Sequence, residues 1–145
     1  MTLQCVETLP MRMQRHSANT RAVAEFLNSH SKVEKVNYSG LAEHPQHELA
    51  GRQMDGHGGL MSFVIRGGID GAAAVMNSLK LIVHAVTFGT SRTICMHPPT
   101  ITHEHMTPAE REQAGIADGL IRLSVGLENV EDLIADLDQA LAQLD

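Results

Sequence analysis

The sequence predicts an α+β fold: a small antiparallel sheet of about four strands with helices packed on one face. Short apolar runs bounded by turn residues predict strands at residues 33–38, 60–65, 82–86 and around Arg122. Between these runs lie segments whose apolar residues recur at helical spacing. A chain of 145 residues, of which 43% are hydrophobic, can bury the core that one domain of this kind requires.

Residues 1–30 predict one long helix that ends near Asn28. No start signal for a helix is found in residues 1–8, so we expect this helix to be truncated at its start. Residues 31–145 are expected to form the α+β domain itself. The apolar positions of the long helix fall roughly on one face and are Leu9, Met13, Val23, Phe26 and Leu27.

The middle of the chain predicts two helices and one irregular loop. A brief helix should run through Arg52, and an alanine-rich helix at residues 69–79 follows the Gly67-Gly68 break. Residues 87–107 contain a Pro-Pro pair and many small polar residues, so we predict an irregular loop there. Long ordered loops of this kind are commonly functional.

Capping signals mark the two C-terminal helices. Thr107 is predicted to cap a short helix at residues 109–114, with Pro108 in its first turn. Asn129 is predicted to cap the last helix. The buried stripe of that helix is Val130, Leu133, Ile134, Leu137, Leu141 and Leu144.

Composition and charge exclude several classes of partner. A formal net charge of -6 with no basic run argues against nucleic acid, which needs clustered Lys and Arg. No apolar stretch is long enough for a membrane span, and the N-terminus lacks the pattern of a signal peptide. Cys5 and Cys95 have no metal-like spacing and predict reduced thiols. We therefore expect a cytoplasmic protein with no nucleic-acid or membrane partner.

Histidines and glycines offer two weaker alternatives. Nine histidines permit a metal site, either at His97, His103 and His105 or at His44 and His47. Neither cysteines nor a helical HExxH spacing accompany them, so hydrogen-bonded loop histidines are the favoured interpretation. The glycine-rich run at residues 56–59 precedes a strand rather than a helix, which favours a turn over a phosphate-binding loop.

Arg122 is the most informative single residue. Strand side chains alternate between faces, so Arg122 points away from the face that carries Ile121 and Leu123. One interpretation is a solvated arginine on the wet side of the sheet. The other is a carboxylate-binding site, because guanidinium stays charged and its paired N–H groups match the two oxygens of a carboxylate. The alternation of the strand is compatible with both interpretations of Arg122.

Several segments resemble one known family in order and spacing. They are residues 7–16 (ETLPMRMQRH), 33–36, 44–50 (HPQHELA), 58–63 (GGLMSF), 97–98, 101–103 and 118–128 (DGLIRLSVGLE). Together they cover nearly the whole chain. They resemble the C-terminal part of the Cys/Met-metabolism pyridoxal-phosphate enzymes, a family that includes cystathionine and methionine γ-lyases.

The resemblance implies the C-terminal domain of a fold-type I enzyme. In such an enzyme a large domain, absent from this chain, binds pyridoxal phosphate, and the smaller domain closes over a sulfur amino-acid substrate. The implied activity is a carbon-sulfur lyase, with γ-replacement as a related reaction. The implied assembly is a homotetramer, and the isolated chain is expected neither to bind the cofactor nor to be active.

Three residues match family positions near the substrate carboxylate. Arg122 matches the arginine that binds it, Thr87 falls where a serine begins a turn whose backbone also contacts it, and Thr102 matches a threonine close to the same site. The resemblance thus implies substrate-carboxylate binding by Arg122, Thr87 and Thr102, with no catalytic, cofactor or metal residue in this chain.

Two departures from the family pattern qualify this picture. Arg92-Thr93 replaces an acidic residue followed by Ser or Thr, which reverses a charge close to the expected site. The three lysines, Lys32, Lys35 and Lys80, lie outside the motif of the cofactor lysine. The alternative function is therefore a non-catalytic remnant that binds amino acids or mediates oligomerisation.

Overall fold

The computed structural model describes residues 2–144, which form six α-helices and one five-stranded sheet. The helices are α1 (Thr2–Glu7), α2 (Leu9–Ser29), α3 (His47–Gln53), α4 (Gly68–Ser78), α5 (Pro108–Gln113) and α6 (Val130–Leu141). The strands are β1 (Val33–Asn37), β2 (Leu60–Ile65), β3 (Val83–His84), β4 (Ile94–Met96) and β5 (Leu120–Ser124). The predicted α+β class is confirmed.

The sheet has the strand order β1-β2-β5-β4-β3 and is antiparallel except between β3 and β4. The prediction of about four strands missed β4, which lies inside the stretch expected to be irregular. All three residues of β4 are buried, so it shows no alternation of apolar and polar side chains. A three-residue strand without alternation, next to a Pro-Pro pair, gives no local strand signal.

One face of the sheet carries the core. Phe63 pairs with Ile121, and Leu123 lies between Met61 and Cys95 on neighbouring strands. Helices α2, α4 and α6 pack on this face. The most deeply buried large side chains on this side are Phe63, Leu27, Ile65, Ile121, Leu123, Leu133, Leu137, Leu141, Val23, Val75 and Val125, while Met96 is equally buried on the opposite face.

The opposite face carries polar side chains on three neighbouring strands, β1, β2 and β5. Asn37 of β1 pairs with Ser62 of β2, Ser62 pairs with Arg122 of β5, and Arg122 pairs with Met96 of β4. The Asn37 amide nitrogen lies 3.4 Å from the Ser62 hydroxyl. The alternation predicted for β5 therefore places Arg122 on the face that the three core helices leave open.

The N-terminal helix is interrupted. Helix α1 ends at Glu7 and α2 begins at Leu9, with Thr8 between them. Pro10 stands in the first turn of α2, where its missing N–H is not needed. The single long helix predicted for residues 1–30 is thus two helices, and its predicted end at Asn28 is one residue from the observed end at Ser29. Met1 lies outside the described residues.

Helix α6 is fastened to the chain before β3 by one buried carboxylate. Asp136 is 6% exposed and accepts the backbone N–H groups of Lys80, Leu81 and Ile82 at 2.8–3.0 Å. Gln139 donates to the same carboxylate at 3.2 Å. This contact fixes where the chain leaves α4 and enters the sheet.

None of the helices in residues 2–144 combines the length and apolar character needed to cross a lipid bilayer.

Candidate functional site

Glycines at both ends of β5 allow close backbone approach. A Cβ atom at Gly119 would collide with the carbonyl oxygen of Ile65 on the neighbouring strand. A Cβ atom at Gly126 would collide with the Ser91 carbonyl oxygen and the Glu128 carboxylate. Any larger residue would push β5 away from these neighbours. The two glycines therefore hold the strand that carries Arg122 at a fixed position.

The Arg122 guanidinium is half-buried on the open face of the sheet. Its Nη2 donates a hydrogen bond to the Thr87 carbonyl oxygen at 3.0 Å, and its Cζ lies 5.8 Å from the centre of the Phe88 ring. Within residues 2–144, Nε and Nη1 donate to no other group. One contact to the backbone and one to a ring hold the planar group, while further donors stay available to a ligand.

The turn that contacts Arg122 is anchored to the end of β5. The Gly89 N–H donates to the Ser124 hydroxyl at 3.1 Å, and the Leu127 N–H donates to the Ser91 carbonyl oxygen at 2.8 Å. Ser124 lies two residues after Arg122 and so faces the same way. The geometry of residues 87–91 is therefore coupled to the strand that carries the guanidinium.

Thr87 and Arg122 are brought together by the backbone of Thr87. The Thr87 side chain is exposed, and its N–H has no hydrogen-bond acceptor among the described residues. A free amide beside a guanidinium is a second donor that an anionic ligand could use.

Thr102 has local partners instead. Its hydroxyl lies 3.4 Å from the Pro98 carbonyl oxygen and 2.8 Å from Nδ1 of His103. In the part of the chain that the structure describes, no hydrogen bond joins Thr102 to Arg122 or Thr87. A role for Thr102 near the carboxylate stays a prediction.

Most histidines of the alternative metal sites are engaged in hydrogen bonds, and His105 is exposed with its Nε2 3.4 Å from the Glu104 carboxylate. His97 is 5% exposed, with Nδ1 at 2.9 Å from the Thr100 hydroxyl and Nε2 at 2.8 Å from the Asp118 carbonyl oxygen. His47 bonds the Ser39 carbonyl oxygen at 2.7 Å. Between residues 2 and 144 no group of three or more His, Cys, Asp or Glu side chains is arranged to hold a metal ion. His97 thus anchors the loop that leads into β5.

The two cysteines have opposite environments. Cys95 lies in β4 at 1% exposure, and burial raises the pKa of its thiol to about 12, whereas Cys5 is exposed. The buried thiol is consequently protonated and unreactive at neutral pH. Neither cysteine lies in the Arg122 turn.

The sequence analysis assigned no role in the site to Phe88, to Ser124 or to the pair Thr93–Glu128. Alternation already places Ser124 on the same strand face as Arg122, whereas its hydrogen bond with Gly89 has no local signal. Phe88 is one of three phenylalanines and directly follows Thr87, but its position over the guanidinium is a tertiary contact. The Thr93–Glu128 contact joins residues 35 positions apart and has no local signal.

Comparison with known proteins gives the family. The model of the Cys/Met metabolism PLP-dependent enzymes matches residues 1–142. An L-methionine γ-lyase of Fusobacterium nucleatum subsp. polymorphum is 50% identical over 139 residues, which are 96% of this chain and 35% of that protein. An O-succinylhomoserine sulfhydrylase of Pseudomonas aeruginosa is 44% identical over 98% of this chain and 35% of its own length.

A solved structure agrees with these sequence matches. A Campylobacter jejuni protein described as an O-acetylhomoserine (thiol)-lyase, which carries a pyridoxyl-lysine monophosphate, superposes with a TM-score of 0.91. It is 40% identical, and the match covers 97% of this chain and 34% of that one. The chain therefore belongs to the Cys/Met metabolism family of PLP-dependent enzymes. It spans about a third of the length of the relatives it matches.

Proposed function

We propose that this chain is the substrate-side C-terminal part of a PLP-dependent sulfur amino-acid enzyme, of the methionine or cystathionine γ-lyase type, and that Arg122 binds the substrate α-carboxylate. One observation carries the assignment to Arg122. The guanidinium is fixed by the Thr87 carbonyl oxygen at 3.0 Å, yet keeps further N–H donors without a protein acceptor. A guanidinium that is held in place and has unused donors can bind both oxygens of a carboxylate.

Arg122 acts by orientation in this proposal. Guanidinium keeps its proton at ordinary pH, so it supplies no proton transfer. Its planar donors fix both oxygens of the carboxylate, and the Phe88 ring supports the plane from one side. Holding the amino acid in one orientation aligns the bond to be broken before the reaction begins. The Thr87 amide and, as the resemblance implies, Thr102 would add contacts to the same carboxylate.

We propose that the described residues do not hold the cofactor themselves. Lys35 lies on β1, two strands from Arg122 in the sheet order, while Lys32 and Lys80 lie in turns before β1 and β3. None of the three pairs with β5, and the glycine run at residues 56–59 leads into β2 rather than a helix. When bound, pyridoxal phosphate supplies an electron sink. We propose that its lysine and phosphate-binding groups belong to a large domain.

The proposed assembly follows the domain division expected from the sequence. Residues 1–30 provide the helical segment towards the large domain, and residues 31–145 provide the substrate-side domain. The complete enzyme would be a homotetramer acting on a sulfur amino acid in the cytoplasm. No nucleic acid or membrane is part of this proposal.

A second candidate is γ-replacement, which uses the same carboxylate site. The relatives include both lyases and a sulfhydrylase at similar identity, so the match alone favours neither reaction. Arg92 is an exposed cation in the anchored turn, where the family pattern has an acidic residue, so the substrate and reaction need not be those of the lyases. The distinguishing measurement is whether product formation requires an added thiol.

Reconstitution tests the proposal against a non-catalytic module. The purified chain is mixed with pyridoxal phosphate alone, and then with the large-domain polypeptide of the Fusobacterium nucleatum relative. We expect the visible absorption of protein-bound cofactor, and turnover of L-methionine, only when the mixture contains both polypeptides. Turnover that is unchanged when Arg122→Lys replaces the natural chain would contradict the role of Arg122. Inactivity of the mixture, with a folded chain, would favour the non-catalytic alternative.

A further inference from the structure

Glu128 stands at the junction of three parts of the chain. It follows β5, its backbone carbonyl oxygen accepts the Asn19 side-chain N–H of α2 at 2.9 Å, and its carboxylate reaches the turn before β4. The carboxylate accepts the Thr93 backbone N–H at 2.6 Å and the Thr93 hydroxyl at 2.9 Å. Both oxygens are therefore used on one residue.

Thr93 also contacts the chain just after β5. It is fully buried, and its hydroxyl oxygen accepts the Gly126 N–H at 2.8 Å. The result is a closed hydrogen-bonded ring that contains Glu128, Thr93 and Gly126. Such a ring is more rigid than its single bonds, because each group fixes the orientation of the next.

The ring closes one end of the turn that contacts Arg122. Residues 87–93 are held at the near end by Arg122 on the Thr87 carbonyl oxygen, and in the middle by Ser124 on the Gly89 N–H. Glu128 holds the far end. Because β5 carries both Arg122 and the start of the ring, the turn and the guanidinium are fixed to the same strand.

We propose that Glu128 is a positioning residue for substrate-carboxylate binding. Through Thr93 it sets the turn at residues 87–93, and that turn fixes the plane of the Arg122 guanidinium. This inference rests on the proposed role of Arg122 and adds to it a residue that does not touch substrate.

The test uses the assembled, PLP-loaded enzyme that contains this chain. Glu128→Asp keeps the charge but is one methylene shorter, so its carboxylate cannot reach both Thr93 groups. We expect KM for the amino-acid substrate to rise about tenfold while kcat stays within about twofold, because Arg122 still orients the bound substrate and only the strength of the carboxylate contact is reduced. Glu128→Gln keeps the length and should restore KM to within about threefold, since the Thr93 hydroxyl oxygen has two lone pairs and can accept the amide N–H beside the Gly126 N–H. Glu131→Asp makes the same change on an exposed residue of α6 and should leave KM unchanged.

A double variant separates positioning from general destabilisation. In the Arg122→Lys background the Glu128→Asp substitution should change KM by less than about twofold, since lysine has no planar guanidinium for Glu128 to orient. Additive effects on KM would overturn the positioning role, as would a wild-type KM for Glu128→Asp alone. If Arg122→Lys itself has a wild-type KM, the proposed function fails, whatever the Glu128 variants do.

Discussion

The guanidinium of Arg122 donates to the main-chain carbonyl oxygen of Thr87 across 35 positions of sequence, at 3.0 Å. The contact joins β5 to the turn between β3 and β4. It uses the backbone of Thr87, so it does not depend on the side chain at that position. It also fixes one edge of the guanidinium and leaves the others for a ligand.

Replacement of Arg122 by lysine tests the carboxylate site. Arg122→Lys keeps the charge but loses the planar pair of donors, so substrate binding should weaken by about 1–3 kcal/mol, which is about 5- to 150-fold in affinity. Arg21→Lys, at an exposed pair with Glu25 on α2, is the matched control. The measurement is KM in the assembled enzyme, and equal values for the two variants would remove Arg122 from the site.

Loss of the Asp136 carboxylate should destabilise the fold. Asp136→Ala leaves three backbone N–H groups without their charged acceptor, so the free energy of unfolding should fall by about 2–4 kcal/mol. Asp138→Ala on the same helix is the control. The Asp138 carboxylate is exposed, and its contact with His30, at 3.6 Å, is a surface pair that contributes at most about 1 kcal/mol. Urea unfolding of both variants measures the difference, and similar losses would refute the account of α6.

Thiol labelling should separate the two cysteines. Burial raises the pKa of Cys95 from 9.0 to about 12, so a thiol reagent at mildly alkaline pH should modify the exposed Cys5 and leave Cys95 protonated and unmodified. The Cys5→Ser variant should then react only when the chain is unfolded. Rapid modification of that variant under native conditions would show that β4 is not buried as described.

The single tyrosine should ionise at a higher pH than a free tyrosine. Burial raises the pKa of Tyr38 from 10.0 to about 12, against a smaller lowering by Arg21, while its hydroxyl donates to the Gly58 carbonyl oxygen at 3.1 Å. The neutral phenol of Tyr38 contributes its whole share of the free energy of unfolding below about pH 10. That share is lost as the pH rises to about 12, because the unfolded chain gives up the phenol proton at a lower pH than the folded chain.

Absorbance of tyrosinate measures this titration without interference, since the chain has one tyrosine and no tryptophan. We expect a midpoint near 12 for the folded chain and near 10 in denaturant. A Tyr38→Phe variant should show no alkaline absorbance change and serves as the blank. Equal midpoints in the two conditions would contradict the burial of Tyr38.

Some residues of the candidate site could be predicted from the sequence and others could not. Arg122 was identified from a charged residue in an apolar strand, and its open face followed from alternation. Thr87 was assigned by resemblance, and the structure places its carbonyl oxygen on the guanidinium. Glu128 was overlooked, because a carboxylate after a strand usually faces water.

The sequence by itself determined the class of fold, most of the helices and the strands with regular patterns. Thr107 and Asn129 cap their helices as predicted, and β2 has the predicted bounds, because capping and alternation are interactions between near neighbours. Only the tertiary structure decided the strand β4, the three amides on Asp136 and the ring through Thr93. Each depends on groups tens of residues apart, which meet only when helices and sheet pack together.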